Sequence, residues 1–325
     1  MSREGSATAT QPSRRPSWGE LQRLAEVELA DRREARWLVE SVAGGRVPLA
    51  GTPTDDQRSL VHELITRRRA GEPLQYVVGS WQFRGLELLV DRRVLIPRPE
   101  TEQVVEVALG YLHRLAEMTH QTSRSGPALE GVAPVLEVVD LGVGSGAIAL
   151  SMAAEWPCTT SLHAGSGASS RPEVDVEVWG VDRSADALDV AEANRDRLGE
   201  RFASRVRLLR GDWWQALPSH LEGRISLAVS NPPYISSPEM AGIEPVVKDW
   251  EPTEALEAGP TGTEAHRTIL RDAPRWLHPG GIVVLEIAPH QAEEVAESAS
   301  QAGLVQIEVY PDLAGRPRTV VARAR

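Results

Sequence analysis

The chain has 325 residues, of which 41% are hydrophobic and 25% are charged. This composition excludes a wholly disordered chain or a coiled coil, and the length favours one large domain with a smaller companion. No run approaches the roughly 18 apolar residues that a membrane span requires, and the first residues lack the apolar segment of a secretory signal. We therefore expect a cytoplasmic protein with no membrane partner.

The charge is distributed unevenly along the chain. Residues 1–75 contain 12 basic and 11 acidic side chains, whereas the remainder contains 23 basic against 35 acidic ones. A strongly acidic body is a poor electrostatic match for nucleic-acid phosphates. We therefore expect no direct nucleic-acid partner.

Cysteine and histidine usage argues against a metal centre. Cys158 is the single cysteine, so an intramolecular disulfide is excluded, and we expect a buried, inert thiol. The eight histidines show no H-E-x-x-H or similar ligand spacing. The sequence thus predicts chemistry without a metal.

The first structured region is predicted to be helical. Capping boxes begin at Ser17 and Thr54, each with a Glu or Gln three residues later. Apolar residues then recur at helical spacing, and the Gly44-Gly45 pair forms a stop between the two stretches. We predict a small helical domain over residues 17–75.

A change of pattern marks the next region. From residue 76 to 96, short apolar and aromatic runs are broken by Gly79 and Gly85, which predicts a linking β-hairpin. Residues 97–325 begin with a helix after Pro97-Arg98-Pro99 and then alternate between strand-like and helical stretches. The predicted strands are 135–140, 176–181, 206–210, 225–230, 282–287, 304–310 and 318–322. This alternation predicts an α/β fold with a doubly wound, mostly parallel seven-stranded sheet.

Three segments differ from these regular elements in composition. Residues 1–16 are rich in Ser, Thr, Arg and Pro, which predicts a disordered tail. Residues 119–134 and 159–175 are rich in Gly, Ser and Pro, and we interpret them as surface insertions.

A glycine-rich loop lies between the first strand of this sheet and a helix. It consists of Gly142, Val143, Gly144, Ser145 and Gly146. Glycines at such a turn allow a ligand to approach the backbone closely. The loop also satisfies the G-x-G-x-x-G/A dinucleotide pattern. By itself it therefore does not separate an NAD-dependent oxidoreductase from a nucleoside-binding methyltransferase.

Acidic and aromatic residues follow the next two strands. Asp182 is positioned to accept hydrogen bonds from both ribose hydroxyls of an adenosine ligand, although it could instead cap a helix, a role that Ser184 can fill. Asp212 and Trp213 follow the third strand and could contact an adenine ring. Alternatively, Trp213 and Trp214 belong to the core.

The most specific signal follows the fourth strand, where the chain reads Asn231, Pro232, Pro233 and Tyr234. Two prolines make a stiff turn whose carbonyls only accept hydrogen bonds, and the tyrosine supplies an aromatic wall. Asn231 Oδ1 and the Pro232 carbonyl could hold both N–H bonds of a planar amide and aim its nitrogen at an electrophile. The electrophile implied is the methyl of S-adenosylmethionine. A simple proline turn is the alternative.

Together these motifs resemble a known family. The chain is similar to the HemK/PrmC release factor glutamine methyltransferases, a family within the class I S-adenosylmethionine-dependent methyltransferases. The segments that carry this similarity are PRPETE at residues 97–102, DLGVGSGAIAL, GVDRSADALDVAEAN, GDWWQAL, SNPPYI and LHPGGIVVLEI. The resemblance extends from about residue 20 to the C-terminus. NPPY is shared with DNA adenine and rRNA guanine methyltransferases, whereas its combination with PRPETE and the helical domain is highly specific.

The resemblance implies a Rossmann-like methyltransferase domain over residues 97–325 and a substrate-docking role for residues 17–75. It implies methylation of the side-chain amide of the glutamine in the Gly-Gly-Gln motif of class-1 peptide chain release factors. S-adenosylmethionine would be bound by residues 142–146 with Asp182, Trp213 and Asn231. The substrate glutamine would be held by residues 231–234. Basic clusters at residues 32–33 and 67–69 would assist docking or simply form solvated helix faces.

The chain departs from the family pattern at Ala258, His266 and Ala288, where Gly, an aromatic residue and Gly are usual. These departures concern the wall of the cofactor pocket. Three other functions are alternatives to the protein methyltransferase: a nucleic-acid base N-methyltransferase that uses the same NPPY site, the oxidoreductase, and an inactive module that binds release factors.

Overall fold

The structure is a computed structural model, and it describes residues 15–47, 51–125, 134–156 and 174–325. Most of the tail, parts of both predicted insertions, and Cys158 lie outside the described residues. The chain divides into two compact units, Met1–Val78 and Gly79–Arg325.

The first unit is helical in its described part. Its helices are α1 (Trp18–Leu29), α2 (Arg32–Ala43), α3 (Asp55–Arg69) and α4 (Leu74–Val78). Both predicted capping boxes form, at the first residues of α1 and α3. Buried apolar side chains from all four helices make one core, which provides the stability that such short helices lack in isolation.

The helical pattern that starts at Ser17 contains a break that the sequence prediction passes over. Ala30 adopts a left-handed conformation with φ of 53°, and Asp31 then accepts hydrogen bonds from the backbone N–H groups of Arg33 and Glu34. Asp31 is therefore the N-cap of a new helix. Apolar residues on both sides of the break face the same core, so periodicity alone did not show it.

The second unit begins with a hairpin of β1 (Ser80–Phe83) and β2 (Leu86–Leu89). This hairpin is shorter than the predicted 76–96 segment, because residues 76–78 belong to α4 and residues 90–96 form no strand. Arg84, at the turn, donates hydrogen bonds to the carboxylates of Glu106 and Glu155. The turn is thereby anchored to the helices that carry these two residues.

A seven-stranded sheet forms the centre of the second unit. Its strands are β3 (Val135–Leu141), β4 (Asp175–Asp182), β5 (Val206–Arg210), β6 (Ile225–Ser230), β9 (Leu277–Glu286), β10 (Val305–Pro311) and β11 (Pro317–Arg323). Their order is β10-β11-β9-β6-β3-β4-β5. In this order, β9, β6, β3, β4 and β5 are parallel to one another, whereas β11 pairs antiparallel with both β10 and β9. The predicted mostly parallel α/β sheet is confirmed.

Helices cover both faces of this sheet. The helices of this unit are α5 (Pro99–Ser125), α6 (Ala147–Glu155), α7 (Ala185–Arg197), α8 (Glu200–Ala203), α9 (Pro245–Lys248), α10 (Thr253–Leu256), α11 (Glu264–Trp276) and α12 (Ala292–Gln301). One apolar core contains residues of α5 and α6, and the other contains residues of α11 and α12. Two short strands, β7 (Ile235–Ser236) and β8 (Glu257–Gly259), pair beside the sheet.

The structure corrects two predicted boundaries. The segment 119–134 is not wholly an insertion, because α5 continues through Ser125 before the described chain stops. Strand β9 begins at Leu277 rather than at residue 282, since Leu277 already pairs with Ile225 of β6, and the register then shifts before pairing continues at Ile282. The other strand ends agree with prediction within one or two residues.

Two glycines allow a test of how tightly the sheet is packed. A Cβ on Gly281 would lie 2.8 Å from the Ile225 carbonyl oxygen and 2.9 Å from that of His278. Gly281→Ala should therefore lower the free energy of unfolding by about 2–4 kcal/mol through backbone displacement. Gly110, inside α5, has open space at its Cβ position. Gly110→Ala should instead raise stability by about 0.5–1 kcal/mol.

Urea denaturation of both variants measures the two effects. Opposite shifts of the midpoint are expected for the same chemical change. An unaltered midpoint for Gly281→Ala would contradict the described packing between β6 and β9.

Candidate functional site

A cavity of about 330 Å³ opens at the carboxyl edge of the parallel strands. The loops after β3, β4, β5 and β6 all contribute to its wall, and so do the segment before α5 and the residues around α10. Ligands of doubly wound proteins bind in this position. The size falls at the lower end of the range for small-molecule sites.

The glycine loop after β3 is held to β4 by hydrogen bonds. Gly142 and Val143 donate their backbone N–H groups to the Val181 carbonyl, both at 2.8 Å. Three glycines of the loop have positive φ, between 53° and 88°, a conformation that costs glycine little. The loop therefore presents bare backbone to the cavity.

Asp182, at the end of β4, fixes the loop further. Its Oδ2 accepts from the Gly144 N–H and its Oδ1 from the Ser184 N–H, each at 2.9 Å. Ser184 itself caps α7 by accepting from the Ala187 N–H. Each carboxylate oxygen keeps one more acceptor position. Burial raises the pKa of Asp182, and the two backbone hydrogen bonds oppose that rise.

The adjacent tryptophans have different roles, which the sequence left undecided. Trp213 lines the cavity and lies 3.6 Å from the position of a Cβ on Gly142. Trp214 is fully buried, donates its indole N–H to the Ile269 carbonyl at 2.9 Å, and stacks on Trp276. Only the first of the pair is therefore available to a ligand.

The Asn-Pro-Pro-Tyr turn after β6 contributes Asn231 and Pro233 to the cavity. Pro232 is buried, and Tyr234 is half-buried. Burial raises the pKa of Tyr234 to about 12, so its phenol stays neutral. The Tyr234 carbonyl accepts a hydrogen bond from Gln291 Nε2 at 2.8 Å, which ties the end of the turn to the strand-to-helix loop after β9.

Two buried residues linked to Asn231 were not singled out from the sequence, and one of them, Thr101, also lines the cavity. Asn231 Nδ2 donates to Thr101 Oγ1 at 3.2 Å, and Thr101 Oγ1 donates to Glu286 Oε2 at 2.7 Å. Burial raises the pKa of Glu286 to about 7. Thr101 belongs to the PRPETE segment and Glu286 to the LHPGGIVVLEI segment. The sequence therefore marked both motifs but assigned no role to either residue.

A second carboxylate connects PRPETE to the segment before α10. Glu251 Oε1 accepts from Arg98 Nη2 at 2.6 Å, and its Oε2 accepts from the Ile96 N–H at 3.1 Å. The Glu251 side chain is 1% exposed. A buried carboxylate with a charged partner and a backbone donor is well compensated. The start of α5 is thereby held at the cavity.

The three departures from the family pattern lie in different places. Ala258 lines the cavity. His266 is buried, its pKa is lowered to about 4 by burial, and the neutral ring donates Nε2–H to the Glu286 carbonyl at 2.8 Å. The Ala288 N–H donates to Gln291 Oε1 at 3.0 Å. Two of the three therefore support the end of β9.

Acidic side chains outnumber basic ones around the cavity. The carboxylates in its wall are Asp182, Asp212, Glu254, Glu257 and Glu264, and the guanidinium groups are Arg93 and Arg183. In the described ranges, no group of three or more His, Cys, Asp or Glu side chains is arranged to hold a metal ion. Every helix of those ranges is too short or too polar to cross a bilayer.

Comparison with known proteins agrees with this geometry. Residues 21–79 match the family model of the PrmC N-terminal domain. The release factor glutamine methyltransferase of Gloeobacter violaceus is 37% identical over 315 residues, which cover 94% of this chain and 96% of the relative. That of Bordetella pertussis is 38% identical and covers 88% of this chain and 93% of the relative.

The chain belongs to the release factor glutamine methyltransferase family. Among solved structures, a protein-(glutamine-N5) methyltransferase (release factor-specific) from Alicyclobacillus acidocaldarius is 24% identical, covers 71% of this chain and 94% of that chain, and has a TM-score of 0.34. The family assignment depends on the sequence relatives.

Most residues predicted for a release factor glutamine methyltransferase site come together in the structure. Those that line the cavity are Gly142, Val143, Gly144, Ser145, Asp182, Trp213, Asn231 and Pro233. Gly146, Pro232 and Tyr234 are not part of its wall. Gly146 instead faces Leu150, which lies 2.8 Å from the position of a Cβ, so this glycine serves close packing of α6.

Gln291 offers a test of the scaffold behind the Asn-Pro-Pro-Tyr turn. Its side chain is buried and satisfies three backbone groups, the carbonyls of Tyr234 and Gly262 and the N–H of Ala288. Gln291→Met keeps the shape and leaves all three unpaired. We expect a loss of about 2–4 kcal/mol, or roughly 4–10 °C in melting temperature.

Differential scanning fluorimetry measures this shift. The control is Gln301→Met, because Gln301 is exposed and, among the described residues, bonds to Glu297 on the surface of α12. Equal melting temperatures for the two variants would refute a structural role for Gln291.

Proposed function

We propose that this protein transfers a methyl group from S-adenosylmethionine to the side-chain amide nitrogen of the glutamine in the Gly-Gly-Gln motif of class-1 peptide chain release factors. Membership of the family supports the reaction. The observation that carries it is the position of Asn231, a side-chain amide that lies in the wall of the same cavity as the glycine loop. Because class-1 release factors act at ribosomes, we further propose a cytoplasmic location.

The cofactor fits the residues at the cavity. Methyltransferases of this kind use S-adenosylmethionine, which when bound supplies a methyl group activated by a sulfonium. Asp182 keeps free acceptor positions for ribose hydroxyls, and the bare glycine loop permits close approach. Trp213 offers an aromatic face beside Gly142. The surplus of carboxylates in the wall favours a ligand that carries a sulfonium charge.

The chain's own residues must orient a weak nucleophile. An amide nitrogen has a delocalised lone pair, so acceptors that hold its N–H bonds must aim it and stabilise the positive charge that develops on it. Asn231 Oδ1 is the side-chain acceptor available for this, and the carbonyls of the proline turn supply others. Bound S-adenosylmethionine would supply the methyl group, and the electron pair of its broken C–S bond would stay on sulfur as the N–C bond forms. The nitrogen then releases one proton to solvent, so no strong base is required.

A protein amide suits this site better than a nucleic-acid base. The carboxylates around the cavity repel phosphates. In the first unit, the predicted basic cluster is already paired, since Arg67, Arg68 and Arg69 bond to Glu72, Glu34 and Glu28. A nucleic-acid N-methyltransferase is therefore not favoured. The match to the PrmC N-terminal domain supports docking of the release factor by residues 17–75.

Labelled S-adenosylmethionine tests the proposed reaction. The protein is incubated with a class-1 release factor together with bulk RNA and DNA, and the label is then located. Label on the glutamine of the Gly-Gly-Gln motif is expected, and a release factor with Gly-Gly-Ala in its place should stay unlabelled. Label on nucleic acid alone would overturn the proposal.

Asn231→Ala should lower kcat by roughly 10²–10³-fold, the scale for loss of one oriented hydrogen-bonding group at a reacting centre. Cofactor affinity and melting temperature serve as controls for fold and binding. Single-turnover rates measure the effect. A rate within about threefold of wild type would exclude the proposed contact with the amide.

Asp182→Ala should weaken cofactor binding by about 1–3 kcal/mol, because the ribose loses an acceptor and the glycine loop loses an anchor. Isothermal titration calorimetry measures the change. Asp189→Ala, on the exposed face of α7, is the matched control and should bind normally. Unchanged affinity in Asp182→Ala would remove Asp182 from the cofactor site.

A further inference from the structure

A chain of hydrogen bonds leads from Asn231 into the protein interior, through Thr101, which also lines the cavity. It runs from Asn231 Nδ2 to Thr101 Oγ1 at 3.2 Å and from Thr101 Oγ1 to Glu286 Oε2 at 2.7 Å. Thr101 is 3% exposed and Glu286 is 0% exposed. The three residues come from the loop after β6, the first turn of α5 and the end of β9.

The chemistry of the three groups fixes the direction of this chain. A carboxylate only accepts, and a hydroxyl has a single hydrogen to donate. When that hydrogen points at Glu286, the Thr101 oxygen can only accept from Asn231. The group of Asn231 that faces Thr101 is therefore its NH2, and Oδ1 is left for the cavity.

The opposite orientation of Asn231 would disable the site. A side-chain amide turned by 180° would present NH2 to the NH2 of the substrate, and two donors do not bond. Its oxygen would then face Thr101, whose hydrogen is already engaged. Discrimination between the two orientations therefore depends on the hydroxyl and on the carboxylate behind it.

Glu286 is itself held in place. Its backbone pairs with Thr319 in β11, and its carbonyl accepts from His266. A buried carboxylate is costly unless it makes compensating bonds, and Thr101 is the side chain that bonds to it. The Glu286 carboxylate therefore stays buried, despite the cost in stability, at the position from which it directs the Thr101 hydroxyl.

We propose that Thr101 is a positioning residue for methyl transfer, which, held by Glu286, keeps the Asn231 amide with its oxygen toward the substrate. The proposal rests on the proposed function, since it concerns how the Asn231 contact is achieved. It adds to that function an explanation of how the Asn231 side-chain amide is held in the productive orientation.

Two variants test the role of the hydroxyl: Thr101→Val keeps the shape of the side chain without the hydroxyl, and Thr101→Ser keeps the hydroxyl without the methyl. In Thr101→Val, Asn231 loses its acceptor and both amide orientations become accessible. We expect kcat to fall by about 10–100-fold, with cofactor affinity within about twofold of wild type. Thr101→Ser restores the hydroxyl and should recover kcat to within about threefold. Assays near pH 8.5 keep Glu286 ionised, since its pKa is about 7.

Two further measurements separate positioning from other roles. Thr119→Val removes a hydroxyl from the same helix, where it donates a hydrogen bond to the Leu115 carbonyl one turn earlier, and this variant should retain full activity. In the Asn231→Ala background, Thr101→Val should add less than about twofold, because the group it orients is absent.

The outcomes distinguish this proposal from the proposed function. If Asn231→Ala is inactive while Thr101→Val keeps wild-type kcat, the positioning role is wrong and the site stands. If the double variant shows the full product of both losses, Thr101 acts independently of Asn231 and the proposal is overturned. If Asn231→Ala is fully active, the amide contact itself fails.

Discussion

Parallel pairing of β3 with β4 and with β6 is the constraint on which the site depends. Because neighbouring parallel strands end at the same edge, loops that are far apart in sequence must meet there. The bond between Gly144 N–H and Asp182 joins residues 38 positions apart, and Asn231 reaches the same cavity from a third strand. A register shift in any of these strands would separate the glycine loop from the Asn-Pro-Pro-Tyr turn, whatever the identity of the side chains.

Buried polar groups concentrate at this edge. Burial raises the pKa of both Asp140 and Glu286 to about 7, and each has one side-chain oxygen without a hydrogen-bond partner among the described residues. Such groups reduce stability compared with apolar side chains of the same size. Each also directs a neighbour, since Asp140 accepts from the Ala149 N–H in the first turn of α6 and Glu286 orients Thr101. Stability is exchanged here for preorganised donors and acceptors, as expected at a functional site.

The sequence predicts the sheet well, because near-continuous apolar strands and their alternation with helices are local properties. The cavity wall was also predictable, because the glycine loop, Asp182 and the Asn-Pro-Pro-Tyr turn each stand at the end of a strand, and the ends of parallel strands meet at one edge. The break at Ala30 was missed, because apolar periodicity continues across it. The sequence does not distinguish Trp213 from Trp214, because both are tryptophans at adjacent positions. The 3₁₀ turn that begins at Trp213 decides which of the two faces the core. The bond from Thr101 to Glu286 spans 185 residues, and no local pattern encodes such a pairing.

The charge distribution now has a structural interpretation. The acidic surplus lies in the second unit, and five carboxylates line the cavity there against two guanidinium groups. Phosphate-rich substrates would meet repulsion at its mouth, which weakens as salt screens it. An uncharged Gly-Gly-Gln segment meets no such barrier, and glycines let its backbone come close to the proline turn. Under the proposed function, selection between a base and a protein amide, which share the same planar NH2 group, would therefore be made by what surrounds that group rather than by the reaction itself.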